Sequence, residues 1–246
     1  MTHILAHIDA YQKSMKSIVN HVLPEGVELK ETIFYPGGGG QPSDSGVLRF
    51  DGNEIEVQGV KRIGNQLIHL TNGVKPVLGQ EIEGVIDWDR RYQLMRTHTA
   101  LHILCGVIWR DFGVQVTGGN MKPLEARMDF ELEEMSADFA SIVQRAIDIE
   151  VDKKREVTVK FLPREQAFKI PDLIRTKINL LPANIEEVRI VEIKGLDIQA
   201  DGGTHVANTS DVGSITIVGH ESKGKRNKRL RIRVGDLEKN NDKTKD

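Results

Sequence analysis

One cysteine, Cys105, stands in a chain of 246 residues. An intrachain disulfide is therefore excluded, and a reducing cytoplasm is the expected compartment. No apolar run approaches the roughly 20 residues that span a bilayer, so no membrane partner is expected. The opening stretch, "MTHILAHIDAY", carries histidines and an aspartate where a secretory leader has a basic start and an apolar run. Neither charge sign is in excess: 34 Lys and Arg face 36 Asp and Glu, a formal net charge of −2. A whole-molecule field that gathers nucleic acid is absent, and any such contact must come from a local patch. Hydrophobic residues at 39% and charged residues at 28% are ordinary for a globular protein. The length suits one large domain or two modest ones.

What is there divides into two patterns. Residues 1–86 hold short apolar runs, "SIVNHV", "GVELKETIFY", "GVLRF", "EIEVQGV", "QLIHL" and "QEIEGVID". Turn signals such as "PEG", "DGN" and "NG" separate most of them, which predicts a small β-barrel-like domain. From Asp87 the period changes. "DWDRRYQLMRTHTALHILCGVIWR" has helical spacing with Asp87 as its N-cap. "EARMDFEL" reads as a strand, and "SADFASIVQRAIDIEVDKK" as a second amphipathic helix capped by Ser136. "VTVKFLP", "EVRIVEI", "DIQA", "SITIVGH" and "LRIRV" then read as strands, and "EKNNDKTKD" as a frayed end. The expected fold class is α+β, with residues 87–246 an antiparallel-sheet-and-helix domain.

The chemistry gathers in two places. "RTHTALHIL" sets His98 and His102 four apart on one helical face, where two imidazoles can bite one zinc ion. The plainer reading of such a pair is two partly buried polar residues. "DGGTH" sets Asp201 and His205 four apart again, in a glycine-rich segment between strands. Three imidazoles and a carboxylate make a tetrahedral zinc set, with Asp201 either a ligand or a residue that orients one. Cys105 is a competitor that geometry disfavours, since it lies seven residues from His98, roughly 10 Å along the axis at about 1.5 Å per residue. The stretch "FYPGGGGQ" is no P-loop, because no Gly-Lys-Ser/Thr follows. Its glycines let the backbone approach a ligand. The segment "KGKRNKRLRIR", with Lys223, Lys225, Arg226, Lys228, Arg229, Arg231 and Arg233, alternates cations with apolar residues. It reads as a phosphate-binding strand or as an edge strand protected by charge.

Taken together, "TIFYPGGGGQPSDSG", "HTALH", "DGGTHV" and "KGKRNKRLRI" resemble, in order, the motifs of the editing domain shared by alanyl-tRNA synthetases and the free-standing AlaX editing proteins. The resemblance spans residues 32–232 and is to the medium-length stand-alone form. It implies a zinc-dependent hydrolase that acts in trans on the ester of mischarged alanine tRNA, seryl or glycyl, with no protein partner evident. It gives His98, His102, Asp201 and His205 as the zinc set, with Asp201 where many members have cysteine. It implies that Gly38, Gly39, Gly40 and Gln41 help form the aminoacyl pocket and that the Thr32 hydroxyl reads serine. Lys223, Lys225, Arg226, Lys228 and Arg229 would hold tRNA phosphates. The backbone N–H groups of Gly202 and Gly203 are candidates for stabilising a tetrahedral oxyanion. The need for such an enzyme is physical: a pocket built for alanine cannot exclude glycine by size and rejects an added hydroxyl poorly. Two other readings stand beside it, editing of seryl-tRNA for threonine and a non-catalytic module that binds tRNA or metal.

Overall fold

Along residues 14–19 of the computed structural model, Met15, Ser17 and Val19 face inward while Lys16 and Ile18 face out. That period of two is the mark of a sheet with one buried face. The structure describes residues 2–134, 136–178, 181 and 185–235; the segment expected to fray, "EKNNDKTKD", lies outside them. The first strands are β1 (His3–Ile4), β2 (Ser14–Leu23), β3 (Gly26–Leu29), β4 (Glu31–Thr32), β5 (Gly46–Phe50), β6 (Asn53–Ile63), β7 (Gln66–Thr71) and β8 (Glu81–Ile86). Six of them close an antiparallel barrel in the order β2-β3-β7-β6-β5-β8, which removes the open edges a small sheet would expose. Its interior is filled by side chains such as Val19, Leu29, Phe34, Leu48 and Val57.

The barrel's last strand leads straight into α1 (Trp88–Phe112). Asp87 caps it as expected, its carboxylate accepting from the Arg90 N–H at 3.1 Å. The helix runs through Gly106, where a β-carbon would meet the Leu196 side chain at 2.9 Å; the glycine admits that side chain into van der Waals range. Nearly every residue from Leu94 to Ile108 is buried, so α1 is the central post of the second half. Around it stand β9 (Val116–Lys122), β10 (Glu125–Phe130), α2 (Ala137–Asp152, capped by Ser136), β11 (Val157–Pro163) and the single turn α3 (Arg164–Ala167). Then come β12 (Glu187–Ile193), β13 (Asp197–Ala200), β14 (Ile215–Ser222) and β15 (Lys228–Val234). They form two antiparallel sheets, β14-β15-β10-β9 and β11-β12-β13. Strands β1, β4 and β9 and the turn α3 were not separated in the sequence. Strand β9, "VTGGNMK", has no alternation and two glycines; pairing with β10 makes it a strand. Nor is the basic segment an edge strand, since β15 lies between β14 and β10.

A buried ion pair fastens the barrel to α1. Arg91 and Asp44 are both almost fully enclosed. The Arg91 guanidinium donates to both Asp44 oxygens, to Ala10 O at 2.7 Å and to Ile33 O at 2.7 Å, while Tyr35 N–H donates to Asp44 at 2.6 Å. With its donors used, such a pair fixes geometry, and removing one partner strands a buried charge. Two turns further along the same helix lies His98.

Inside the barrel, His69 is fully buried. Its Nδ1–H donates to Val27 O at 3.2 Å, so its Nε2 accepts from the Thr32 hydroxyl at 2.7 Å, and Thr32 Oγ1 in turn accepts from Phe34 N–H at 3.0 Å. Burial lowers this histidine to about 4. The folded ring therefore stays neutral while the unfolded one gains a proton below 6.5. The contribution is fully present above pH 6.5 and is lost as pH falls toward 4, up to roughly 3 kcal/mol. Denaturant unfolding at pH 7 and pH 4.5 should show a smaller acid loss in His69→Gln than in the parent chain; an identical loss would mean that this ring does not titrate on unfolding.

Candidate metal centre and its cavity

The helical pair and the loop pair meet. His98 and His102 project from one face of α1, Asp201 follows directly on β13, and His205 lies in the connection to β14. One ligand atom from each of the four lies within 4.8 Å of the others. His205 Nε2 is 3.1 Å from Asp201 Oδ2, His98 Nε2 is 3.5 Å from Oδ1, and His102 Nε2 is 4.0 Å from Oδ1.

Each imidazole is held from behind through Nδ1. The Gln41 amide oxygen accepts from Thr204 N–H at 3.0 Å, and its amide nitrogen donates to the Thr204 hydroxyl at 2.9 Å, which fixes which end is oxygen. That oxygen then accepts the Nδ1–H of His98 at 2.9 Å. Thr99 donates its hydroxyl to Met95 O, so its oxygen accepts from His205 Nδ1–H at 3.3 Å and from Val206 N–H at 3.2 Å. Asp197 accepts from His102 Nδ1–H at 2.9 Å. With their Nδ1 protons behind them, the rings in their neutral form turn three Nε2 lone pairs toward the Asp201 carboxylate. Acceptors face acceptors at a buried point, which is unfavourable unless a cation stands between them. The cluster is compatible with a metal ion, and this electron-rich convergence is what fits it.

Protonation runs the same way for two rings. Burial lowers His98 to about 4 against the pull of Asp201, and burial with the neighbouring His98 holds His205 well below 6.5. For His102 burial also opposes the proton, but the hydrogen bond and charge of Asp197 outweigh it and raise the ring above 6.5. Gly203 sits hard against His98: a β-carbon there would lie 2.2 Å from Cε1, so only glycine lets this loop close over the ring. Its N–H donates to Asp201 Oδ2 at 2.5 Å. That donor is engaged with the carboxylate, which corrects the expectation that Gly203 is available to an oxyanion. Cys105 is buried outside the cluster, its thiol pushed well above 9.0 by burial.

A cavity of about 630 Å³ opens beside the cluster, with His98, His102, Asp201 and Gly202 on its wall. Gly39 and Gly40 line it and Gly38 does not; Gly38 pairs through its main chain with Gln41 and accepts from the Tyr35 hydroxyl. Gln41 faces inward as the clamp on His98 and Thr204 described above. Thr32 is enclosed in the barrel and its hydroxyl is engaged by His69 and Phe34, so the structure does not bring it to the cavity wall. Four of the five basic residues assigned to phosphates are engaged within the chain. Lys223 meets Glu221 at 2.8 Å, Arg226 meets Glu133 at 3.2 Å, Arg229 grips Asp129 at 2.7 and 2.8 Å, and buried Lys228 donates to Gly224 O at 2.8 Å. Lys225 is exposed. The hairpin that carries these residues reaches the cavity rim, where the Thr117 hydroxyl donates to Asn227 Oδ1 at 3.0 Å.

Asp197, Thr99 and Thr204 were missed in the sequence. For Asp197 a signal existed: in "DIQAD" a period of two puts Asp197, Gln199 and Asp201 on one face of the strand. Thr99 and Thr204 carry no such mark, because their use depends on where a distant histidine and glutamine fall.

Residues 188–231 match a family described as the threonyl and alanyl tRNA synthetase second additional domain, and residues 2–90 match class II (A) tRNA synthetases. Over 234 residues the chain is 41% identical to the alanyl-tRNA editing protein AlaX-M of Saccharolobus solfataricus, covering 94% of this chain and 98% of that one. It is 38% identical over 240 residues to the AlaX-M of Methanosarcina barkeri, with the same coverage. It is also 35% identical over 223 residues to the alanine–tRNA ligase of Pyrococcus abyssi, covering 88% of this chain and 24% of that enzyme.

Gln41→Leu leaves the His98 Nδ1–H, the Thr204 N–H and the Thr204 hydroxyl without partners. Divalent-metal affinity, measured by competition with a chelator, should fall about 10- to 100-fold, with a stability loss of about 1–3 kcal/mol. Unchanged affinity would show that the amide does not orient His98.

Proposed function

We propose that this chain, which belongs to the AlaX-M family of alanyl-tRNA editing proteins, is a zinc-dependent deacylase. In this reading it acts in trans, in the cytoplasm, on alanine tRNA mischarged with serine, with the glycyl ester as a second substrate. The observation that carries the reading is the convergence of four acceptors, three of them buried imidazoles, beside an open cavity whose wall includes His98, His102 and Asp201. His98, His102, His205 and Asp201 hold the ion. When bound, zinc supplies Lewis acidity at that point, polarising an ester carbonyl or bringing a water toward a pKa of about 7. Asp197, Thr99 and Gln41 keep the Nδ1 protons away from the metal side. Gly39 and Gly40 give a wall without side chains, so the aminoacyl-ribose end can press close to the backbone. Residues 1–86 would then be the unit that supplies this glycine wall, and residues 87–246 the editing unit that carries the ligands. The serine-reading role of Thr32 requires its hydroxyl to leave His69 and Phe34, and Thr32→Val tests it: unchanged discrimination between seryl and alanyl esters would take the role from this residue.

Phosphates of the tRNA would meet the rim hairpin, with Lys225, Lys223 and Arg226 as contacts and Lys228 and Arg229 as the residues that hold the hairpin in place. Lys225→Glu should weaken tRNA binding and flatten its dependence on log salt by about 0.7–0.9 if one phosphate contact is lost. An unchanged slope would remove Lys225 from the tRNA interface.

The central test is serine release from mischarged alanine tRNA by the purified protein. Activity should disappear on chelation and return with zinc, and Asp201→Ala should bind the metal less tightly. A zinc-loaded protein that binds this tRNA but releases no serine would instead be a non-catalytic module. Preferential release from mischarged threonine tRNA would move the substrate to the threonine system.

A further inference from the structure

Arg175 lines the cavity, and its buried guanidinium has carboxylates near it but no well-made hydrogen bond from Nε or Nη1 among the described residues. Its side chain is 7% exposed, and its guanidinium lies over the Trp109 ring at 4.5 Å. Nε and Nη1 are buried without a hydrogen-bond acceptor among the described residues. Two carboxylates approach, Asp197 Oδ1 at 3.5 Å from Nε and Asp172 Oδ2 at 4.0 Å from Nη1, and neither makes a hydrogen bond; Asp197 Oδ1 is itself buried without one. The backbone here is fixed beside β9, where Val116 N–H donates to Arg175 O at 3.0 Å and Lys177 N–H donates to Val116 O at 2.9 Å. A buried guanidinium with idle donors is costly. Nε and Nη1 are enclosed, so an incoming oxyanion meets the guanidinium on the side it turns to the cavity, where a planar cation suits phosphate oxygens.

Its place in the cavity says which oxyanion. His102 donates to Asp197, and Asp197 lies against Arg175, so the guanidinium stands one side chain beyond the metal cluster on the same wall. In an aminoacyl-tRNA the ester is on the 2′ or 3′ oxygen of the terminal ribose, and the 5′-phosphate leaves the other side of that sugar. An ester held at the cluster therefore carries its own phosphate about one sugar's breadth away. The charges agree: Asp197 and Asp201 are balanced by Arg175 and Arg189, so a divalent ion leaves this end of the cavity positive. We propose that Arg175 binds the 5′-phosphate of the 3′-terminal nucleotide of the tRNA. The proposal rests on the deacylase reading above.

Two small substrates test it: 3′-O-seryl-adenosine with and without a 5′-phosphate. For the zinc-loaded parent chain the phosphate should improve kcat/KM at least about tenfold, as a charge-assisted contact does. In Arg175→Gln that ratio should fall toward one. A variant that loses activity on both esters while keeping the ratio would overturn the proposal, because that is how a residue acting only through Asp197 and His102 behaves. Calorimetric binding of adenosine 5′-monophosphate against adenosine needs neither turnover nor the variant. The monophosphate should bind the parent chain more tightly, and equal binding would overturn the proposal even if Arg175→Gln failed to fold. A parent chain that hydrolyses neither ester, yet prefers the monophosphate, would defeat the deacylase reading and leave the phosphate site standing.

Discussion

Lone pairs that face one another across a buried point repel, and this molecule is arranged so that four such groups must do so. Imidazoles left to themselves would turn a proton toward Asp201 and make an ordinary hydrogen bond. They are prevented by what stands behind them: an amide oxygen, a threonine hydroxyl oxygen and a carboxylate each accept a hydrogen bond from an Nδ1–H. The tautomers are thus fixed by partners that never touch the metal position. The three histidines are oriented in advance, and the cost of orienting them is carried by the fold.

Gln41 shows how the fold carries it. Its side chain joins the barrel's glycine-rich turn to His98, 57 residues on, and to Thr204, 163 residues on. The Arg91–Asp44 pair does the same work one step back, tying the turn's base to the helix that bears both histidines. The barrel is therefore more than an appendage to the half that holds the ligands. It delivers the glycine wall and the amide that orients the first ring, and a register error of one residue in the turn would lose both.

What the sequence made legible follows from this. Helical spacing is local, so His98 and His102 could be put on one face without knowing what they faced. The short loop from Asp201 to His205 is local too, and its glycines signalled close approach; Gly203 closing over the His98 ring is that approach. The barrel strands showed in their alternation. Features set by distant partners stayed hidden. "VTGGNMK" becomes a strand only beside β10, and Thr32 is withdrawn from the cavity by a histidine 37 residues away. The basic segment read as a strand with a cationic face because nothing local revealed that Asp129 and Glu133 would come to lie against it.

The aspartate at position 201 draws these strands together. A thiolate offers one softer, better zinc-binding atom. A carboxylate offers two oxygens, and both are used here: Oδ2 takes the Gly203 N–H and faces His205, while Oδ1 faces His98 and His102. Arg189 adds a second hold, donating to the Asp201 main-chain oxygen at 2.8 Å and to His7 O at 2.9 Å. The loop is thus braced through the very residue that completes the cluster. Sulfur at this position would favour a metal and accept a weaker hydrogen bond from Gly203 N–H, whereas oxygen gives weaker ligation and the stronger turn that closes the glycine over the His98 ring. A metal held at this cluster would be coupled to the loop's geometry through one side chain, so changing Asp201 also changes the wall of the cavity beside it.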